Sequence, residues 1–467
     1  MRLALLPILL ASALPRVLAG QPNVETQRAV ADRLIDAALR DSAAYQRLAR
    51  LVDTFGHRMS GSPTLERAID WIVAEMKRDG LENVHTEPVI VTHWVRGTES
   101  AALVSPRSAP LPVLGLGRSV GTPPGGIAAP VLVVRDFAEL RARAAEAKGK
   151  IVLFDFPFDT SQHPFAAYGQ AVQYRAYGVD SAAAVGAVAA LVRSVTPHSL
   201  RTPHTGGLSY ADTVRTVPRI PGAAVTVEDA EMLHRMQQRG ERVVVRLTMG
   251  ARTLPPARSR NVIAELRGSE RPDEVVVVGG HIDSWDVGQG AMDDGGGSVA
   301  AWEALRLVRQ LGVRPKRTIR VVLWTNEEIG LGGALAYRDA HRGELDRHVL
   351  AMESDNGVFR PLGLLFSGLD SGLALMRQVS HLLTRVGADS VLASGPEADV
   401  GPLAALGVPA VAINTDPSRY FWYHHTDADT IDKLSPREMA LCVAVMAVVV
   451  NTVANMDTAL PRAPIGR

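Results

Sequence analysis

The sequence is poor in cysteine and in net charge, and each scarcity excludes a class of protein. Cys442 is the single cysteine, so no disulfide can form within one chain. The formal net charge is +1, which leaves no strong field to attract nucleic acid or an anionic membrane surface. The apolar run at residues 441–450 is about half of the roughly 20 residues that a membrane-spanning helix needs. We therefore expect no nucleic-acid partner and no membrane anchor, and a fold that depends on its core or on bound metal.

What the chain does contain is length, a globular composition and an N-terminal export signal. Its 467 residues, 46% hydrophobic and 21% charged, are enough for two or three domains. Arg2 is followed by an apolar stretch and by the small-residue sequence Val17-Leu18-Ala19, which is typical of a secretory signal peptide. We predict that residues 1–19 are removed and that the mature protein is periplasmic or secreted.

The rest of the chain divides at a glycine- and proline-rich segment, residues 115–130, as is typical of a domain boundary. We predict that residues 22–116 form the first part of the main domain. Residues 117–253 are predicted to be an inserted β-rich module without a catalytic set, and residues 254–467 complete the main domain. In that last part, strands alternate with helices. The alternation predicts an α/β fold with a mainly parallel or mixed sheet and helices on both faces.

Four predicted strands of the main domain are each followed closely by acidic residues or histidines. The pairs that follow the strands at 275–278, 319–324, 349–352 and 408–413 are, in that order, His281 and Asp283, Glu327 and Glu328, Glu353 and Asp355, and His424 and His425. Each pair alone fits an ordinary role, such as a helix cap or a solvated residue. Ligands of open α/β sheets bind beyond the carboxyl ends of the strands, where all four pairs lie. The joint arrangement predicts a metal centre.

The residue types at this centre favour zinc catalysis. Imidazole and carboxylate ligands without thiolate suit a catalytic zinc pair better than a structural cysteine site. Two ions about 3.5–4 Å apart can share one carboxylate, and Asp293, in a glycine-rich loop, is the natural bridge. Glu327 and its neighbour Glu328 point in different directions, so Glu327 is free to act as a general base. Asp283, two residues after His281, is expected to accept the second imidazole N–H and orient the ring.

Four segments carry a resemblance to a known family. HIDSWDVGQGAMDDGGG, LWTNEEIGLGGALAY, MESDNG and YHHTDADT resemble the co-catalytic zinc exopeptidases, which include bacterial leucyl aminopeptidases and glutamate carboxypeptidases. The likeness covers nearly the whole mature chain, and the inserted segment resembles a protease-associated domain. It implies a zinc exopeptidase fold with two Zn²⁺ ions per chain, held by His281, Asp293, Glu328, Asp355 and His425. His425 is preferred to His424 because it begins the family pattern His-Thr-x-x-Asp-Thr.

The resemblance also implies an activity and an assembly. Glu327 matches the family's general base and Asp283 the residue that orients the first histidine. The implied enzyme is a homodimeric carboxypeptidase or dipeptidase that hydrolyses dipeptides or short peptides with free termini. Two alternatives stay open: an aminopeptidase acting on longer peptides, and a non-catalytic binding protein with the same domains. The intact ligand set and Glu327 argue against the binding protein. The aromatic run at residues 420–423 fits a pocket wall and an aromatic core equally well.

Overall fold

The computed structural model describes residues 24–210 and 217–464. The predicted signal peptide, residues 1–19, lies outside the described residues. The helices are α1 (Arg28–Arg40), α2 (Ala43–Phe55), α3 (Pro63–Arg78), α4 (Phe137–Ala142), α5 (Ala144–Ala147), α6 (Pro164–Ala184), α7 (Val227–Gln238), α8 (Gly296–Gln310), α9 (Gly332–Ala340), α10 (Asp370–Ser380), α11 (Gly401–Ala404), α12 (Tyr420–Tyr423) and α13 (Pro436–Asn455). Short 3-10 helices lie at Val24–Gln27, Leu345–Arg347, His381–Val386 and Ile431–Lys433.

The strands form two large sheets and one small ribbon. They are β1 (Glu82–Val91), β2 (Trp94–Val95), β3 (Glu99–Ser105), β4 (Ala109–Leu111), β5 (Val113–Gly115), β6 (Ile127–Val134), β7 (Ile151–Phe154), β8 (Ala189–Arg193), β9 (Gly222–Val225), β10 (Val244–Met249), β11 (Arg252–Thr253), β12 (Ala257–Leu266), β13 (Arg271–His281), β14 (Arg317–Trp324), β15 (His348–Glu353), β16 (Pro361–Ser367), β17 (Ser390–Ala393) and β18 (Ala410–Thr415). The ribbon pairs β2 with β11.

The first sheet has the strand order β1-β12-β14-β13-β15-β18-β16-β17. Its centre, β14-β13-β15-β18, is parallel, whereas β1, β12 and β16 add antiparallel pairs. Successive side chains of a strand point to opposite faces. Accordingly, Val276 and Val278 pack in the core that contains α8 and α13. Val275 and Val277 pack on the other face, with residues of α9 and α11. The mixed sheet covered by helices on both faces confirms the predicted fold class.

Helix α13 lies at the centre of the larger core. Pro436–Asn455 is the one helix within residues 24–210 and 217–464 that is long and apolar enough to cross a membrane by composition. It packs against α1, α2 and α8 and against the sheet, and most of it is buried. Burial on all sides explains why its sequence is apolar around the whole helix.

The second sheet has the strand order β4-β3-β10-β6-β7-β8-β9-β5. Its core strands β6 to β9 are parallel and pack with α4, α6 and α7, so this part of the chain is also α/β in character. The sheet already includes Glu99–Ser105, before residue 117. The division of the chain at residues 117 and 253 therefore stays a prediction. The segment that follows α6 and β8 reaches the first sheet, where the Thr205 N–H donates to the carbonyl of His425 at 3.0 Å.

Candidate metal centre

The predicted site residues lie at the carboxyl ends of the parallel strands in the first sheet. His281 is the last residue of β13, and Glu327 and Glu328 follow the end of β14 by three and four positions. Asp355 comes two positions after β15. Because these strands are adjacent and parallel, their carboxyl ends meet at one edge. Asp293 reaches the same edge from the turn Ala291–Gly295 in front of α8.

The five predicted metal ligands come together in two clusters that share Asp293. In the first cluster, His281 Nε2 lies 3.3 Å from Asp293 Oδ1 and 3.3 Å from Asp355 Oδ1. In the second, His425 Nε2 lies 3.1 Å from Asp293 Oδ2 and 3.2 Å from Glu328 Oε2. The two oxygens of Asp293 therefore face different histidines, which is the arrangement that a bridging carboxylate needs.

The unsatisfied polar atoms of these side chains fit bound cations. His281 Nε2, Asp293 Oδ2, Glu328 Oε1 and Asp355 Oδ1 are buried, and none has a hydrogen-bond partner among the described residues. Each unsatisfied buried polar atom costs about 1–3 kcal/mol. The candidate ligand atoms of His281, Asp293 and Asp355 all lie within 4.8 Å of one another. Nitrogen and oxygen donors at this spacing suit zinc.

Of the two adjacent histidines, His425 is the better placed. Both face Asp293, but His424 Nε2 lies 3.8 Å from Asp293 Oδ2, compared with 3.1 Å for His425, and His425 also reaches Glu328. The two rings stack with their centroids 3.5 Å apart. His425 Nδ1 lies 3.3 Å from the carbonyl oxygen of Thr205. An N–H at Nδ1 can donate to that carbonyl, which leaves the Nε2 lone pair free for a metal.

Asp283 lies beside His281, and it is the backbone carbonyl of Asp283, not its carboxylate, that makes the short contact with the imidazole. His281 Nδ1 lies 3.0 Å from the backbone carbonyl oxygen of Asp283 and 3.9 Å from its carboxylate. The carboxylate instead accepts hydrogen bonds from the Ser60 hydroxyl at 2.9 Å and from the Glu327 N–H at 3.2 Å. Asp283 thus connects the imidazole of His281 to the backbone of Glu327.

Two residues that the sequence analysis missed hold the loop that carries Asp293. We call residues 288–295 the metal loop. Asp429 accepts hydrogen bonds from three consecutive N–H groups of this loop, at 2.7 to 3.2 Å. Arg58 is buried and donates to three carbonyl groups in and before the loop, at 2.8 to 2.9 Å. The Asp429 signal was present in the motif YHHTDADT, whereas nothing local distinguishes Arg58 within its loop.

Two further acidic residues near the ligands accept hydrogen bonds from backbone N–H groups. Glu353 accepts the N–H groups of residues 399–400 at 3.2 and 3.0 Å. Asp294 accepts the N–H of His281 at 3.1 Å. Of the pair Glu353 and Asp355, it is therefore Asp355 whose carboxylate approaches His281.

The electrostatics separate Glu327 from Asp293. Burial raises the pKa of Glu327 to about 8; the positive charge of His281 opposes this shift, and the negative charge of Asp355 adds to it. Burial also disfavours the charged form of Asp293, but its contacts with His281 and His425 outweigh burial and hold its pKa well below the usual value. Glu327 thus holds a proton more readily than Asp293 does, as the predicted proton acceptor and the predicted shared ligand require.

A cavity of about 530 Å³ opens onto both clusters. Asp293, Glu327 and Glu328 form part of its wall, and Tyr420 and Phe421 line it as well. These two aromatic side chains are also buried, whereas Trp422 is 44% exposed. The aromatic run thus serves as pocket wall and as core.

Comparisons with known proteins agree with this chemistry. Residues 261–450 match the family described as Peptidase family M28. Carboxypeptidase Q of Mus musculus is 49% identical over 419 residues, which cover 90% of this chain and 87% of the relative. Carboxypeptidase Q of Homo sapiens is 48% identical and covers 93% and 90% of the two chains.

Solved structures show the same architecture. The crystal structure of a peptidase M28 precursor from Shewanella amazonensis has a TM-score of 0.90 and 35% identity, and the match covers 95% of this chain and 100% of that chain. A zinc aminopeptidase from Bacillus subtilis, at 23% identity and a TM-score of 0.64, covers 87% and 93% and shows the fold alone. On the strength of the close relatives, this chain belongs to peptidase family M28, as a zinc exopeptidase similar to carboxypeptidase Q.

Proposed function

We propose that this enzyme hydrolyses dipeptides or short peptides with free termini, as a carboxypeptidase or dipeptidase, with two zinc ions per chain. The observation that supports the two ions is the pair of ligand clusters sharing Asp293. In this proposal, His281 and Asp355 would hold one ion, Glu328 and His425 would hold the other, and Asp293 would contribute to both. The substrate class rests on the similarity to proteins named carboxypeptidase Q.

Glu327 is the proposed general base. Bound zinc supplies a water of lowered pKa and polarises the carbonyl of the scissile peptide bond. Glu327 lines the same cavity as Asp293, Glu328 and Asp355, and its backbone N–H donates to the carboxylate of Asp283. It accepts the proton of the attacking water and then donates a proton to the leaving amine. His281, oriented by the carbonyl of Asp283, keeps its Nε2 directed at Asp293 and Asp355.

The same proposal includes export and assembly. The composition of residues 1–19 supports a signal peptide, and hence a periplasmic or secreted enzyme without a membrane anchor. The family resemblance supports a homodimer. N-terminal sequencing of the exported protein and light scattering of the purified protein test these two points. An intact N-terminus would contradict the first and a monomer the second.

The activity is tested by comparing three substrates and the zinc content. A dipeptide with free termini, the same dipeptide with a blocked N-terminus and a pentapeptide are digested before and after chelation. We expect two zinc ions per chain, preference for the free dipeptide, and activity that is lost on chelation and restored by zinc. Hydrolysis of the N-blocked dipeptide alone would contradict the proposal. Preference for the pentapeptide would favour an aminopeptidase acting on longer peptides.

A further inference from the structure

The cavity wall contains two arginines that have no acidic partner. Arg175, on α6, and Arg118 both line the cavity, and neither forms a salt bridge with a carboxylate among the described residues. Arg175 is buried; it donates to the Tyr168 hydroxyl at 2.8 Å and to the Thr205 carbonyl at 3.3 Å. Arg118 is half-buried, and its one hydrogen bond to a described residue, the carbonyl of Leu208, is 3.5 Å long. A cationic part of the cavity wall is thus left without a counter-ion among the described residues.

An unpaired acidic side chain lies in another part of the same wall. Glu397 is half-buried, lines the cavity and accepts a hydrogen bond from the side-chain amide of Asn356. Within residues 24–210 and 217–464, it forms no salt bridge with an arginine, lysine or histidine. Charges removed from water are costly unless they are paired, so the cationic part and the acidic part of the wall each favour a ligand of the opposite charge.

The cationic part and the acidic part of the wall border different ligand clusters. Arg175 Nη1 lies 3.5 Å from Nδ1 of His425, which belongs to the cluster with Glu328. Glu397 accepts a hydrogen bond from Asn356. Asn356 directly follows Asp355, and Asp355 belongs to the cluster with His281. A two-residue peptide spans at most about 7 Å, whereas paired catalytic metals lie about 3.5–4 Å apart. The ends of a dipeptide can therefore extend beyond the metal pair on both sides.

We propose that Arg118 and Arg175 bind the C-terminal carboxylate of a short peptide and that Glu397 binds its N-terminal ammonium group. The inference rests on the proposed peptidase function and deepens it. A planar guanidinium group matches a carboxylate with two parallel hydrogen bonds. A peptide that binds both the arginines and Glu397 must carry both free termini and must be short. Substrate length is then selected by the two charged parts of the cavity wall.

The test pairs variants with substrates that lack one charge. The probes are a dipeptide with free termini, its C-terminal amide and its N-acetyl form. For a probe that the enzyme cleaves, KM is measured. For a probe that it does not cleave, the inhibition constant Ki is measured with the free dipeptide as substrate. We expect Arg118→Gln and Arg175→Gln each to raise KM for the free dipeptide by about 10-fold or more, since charged hydrogen bonds are lost. Neither substitution is expected to weaken binding of the amide by this factor, because the amide lacks the carboxylate. Glu397→Gln is expected to weaken binding of the free dipeptide and of the amide by a similar factor, and to leave binding of the N-acetyl form unchanged.

Controls separate recognition from folding and from zinc binding. Arg246→Gln removes the same charge from the exposed side of β10 and is expected to leave KM unchanged. Zinc content is measured for every variant, and Arg175→Lys keeps the charge if Arg175→Gln loses zinc. Suppose that the wild-type enzyme hydrolyses dipeptides, but that the variants weaken binding of all three probes equally or of none. The recognition proposal is then overturned, and the peptidase function stands. If the wild-type enzyme has no zinc-dependent peptidase activity, both fail.

Discussion

At the scale of single residues, Asp293 determines the geometry of both ligand clusters. Its two oxygens lie 3.3 Å from His281 and 3.1 Å from His425. A rotation of this one carboxylate therefore changes both contacts together. The residues that fix its orientation matter as much as the ligands themselves, because groups behind metal ligands tune affinity and activity.

Replacement of Glu327 by Gln tests the base at the same scale. We expect Glu327→Gln to lower kcat by about 10²–10⁴-fold, the usual contribution of a positioned base, and to leave zinc bound. Steady-state kinetics and metal analysis measure the two effects. Glu146→Gln, at an exposed site on α5, is the matched control. Undiminished turnover would remove Glu327 from the mechanism.

Asp429→Asn tests the support of the metal loop. The change weakens the acceptors for three N–H groups of residues 288–295, so we expect zinc affinity to fall by about 10–100-fold. Titration against a competing chelator gives the affinity. Asp432 lies three positions further on and is largely exposed, so Asp432→Asn should leave the zinc affinity unchanged. Equal affinities for the two variants would show that Asp429 does not support the loop.

At the scale of elements, α8 joins the metal loop to the core. Gly297 allows the first turn of α8 to approach the end of β15, since a Cβ there would lie 1.8 Å from the carbonyl oxygen of Ser354. Further along, Trp302 is fully buried; its Nε1–H donates to Asp79 at 2.9 Å, and the guanidinium of Arg47 lies 3.9 Å from its ring. Packing of this helix therefore fixes where the metal loop ends.

We expect Trp302→Ala to lower the free energy of unfolding by about 3–5 kcal/mol, because it leaves a large cavity in the core. Trp422→Ala removes the same side chain from a site that is 44% exposed and should cost about 1 kcal/mol or less. Denaturant titration in the presence of zinc measures both. Similar losses for the two variants would contradict the assigned burial.

Some elements were accessible from the sequence and others were not. The strand expected at residues 275–278 is observed as Arg271–His281, and its run of valines is buried on both faces. Helix α6, Pro164–Ala184, was not predicted. Its small and apolar residues are spread around the helix, so no single face marks it in the sequence. A short apolar run cannot distinguish a buried strand from a buried helix, which is why the sequence predicts only a β-rich module in the part around the second sheet.

At the scale of the whole molecule, bound zinc should stabilise the fold. Without cations, burial and the charge of Asp293 raise the pKa of Glu328 well above its usual value, so the centre opposes ionisation of this ligand. At a free zinc concentration about 100 times Kd, each ion adds about 2.7 kcal/mol to the free energy of unfolding. We expect calorimetry to show a lower Tm after chelation and recovery on adding zinc. Asp355→Asn should reduce the difference; a Tm independent of zinc would contradict the centre.

The sequence by itself determined the alternation of strands and helices and the residue types at the strand ends, because both are local in the chain. Only the tertiary structure decided which atoms meet. It shows that the Asp283 carbonyl contacts His281, and that Arg58 and Asp429 hold the metal loop. Arg175 meets His425 across 250 positions. Such contacts depend on how distant segments pack, to within tenths of an ångström, and no local pattern encodes those distances.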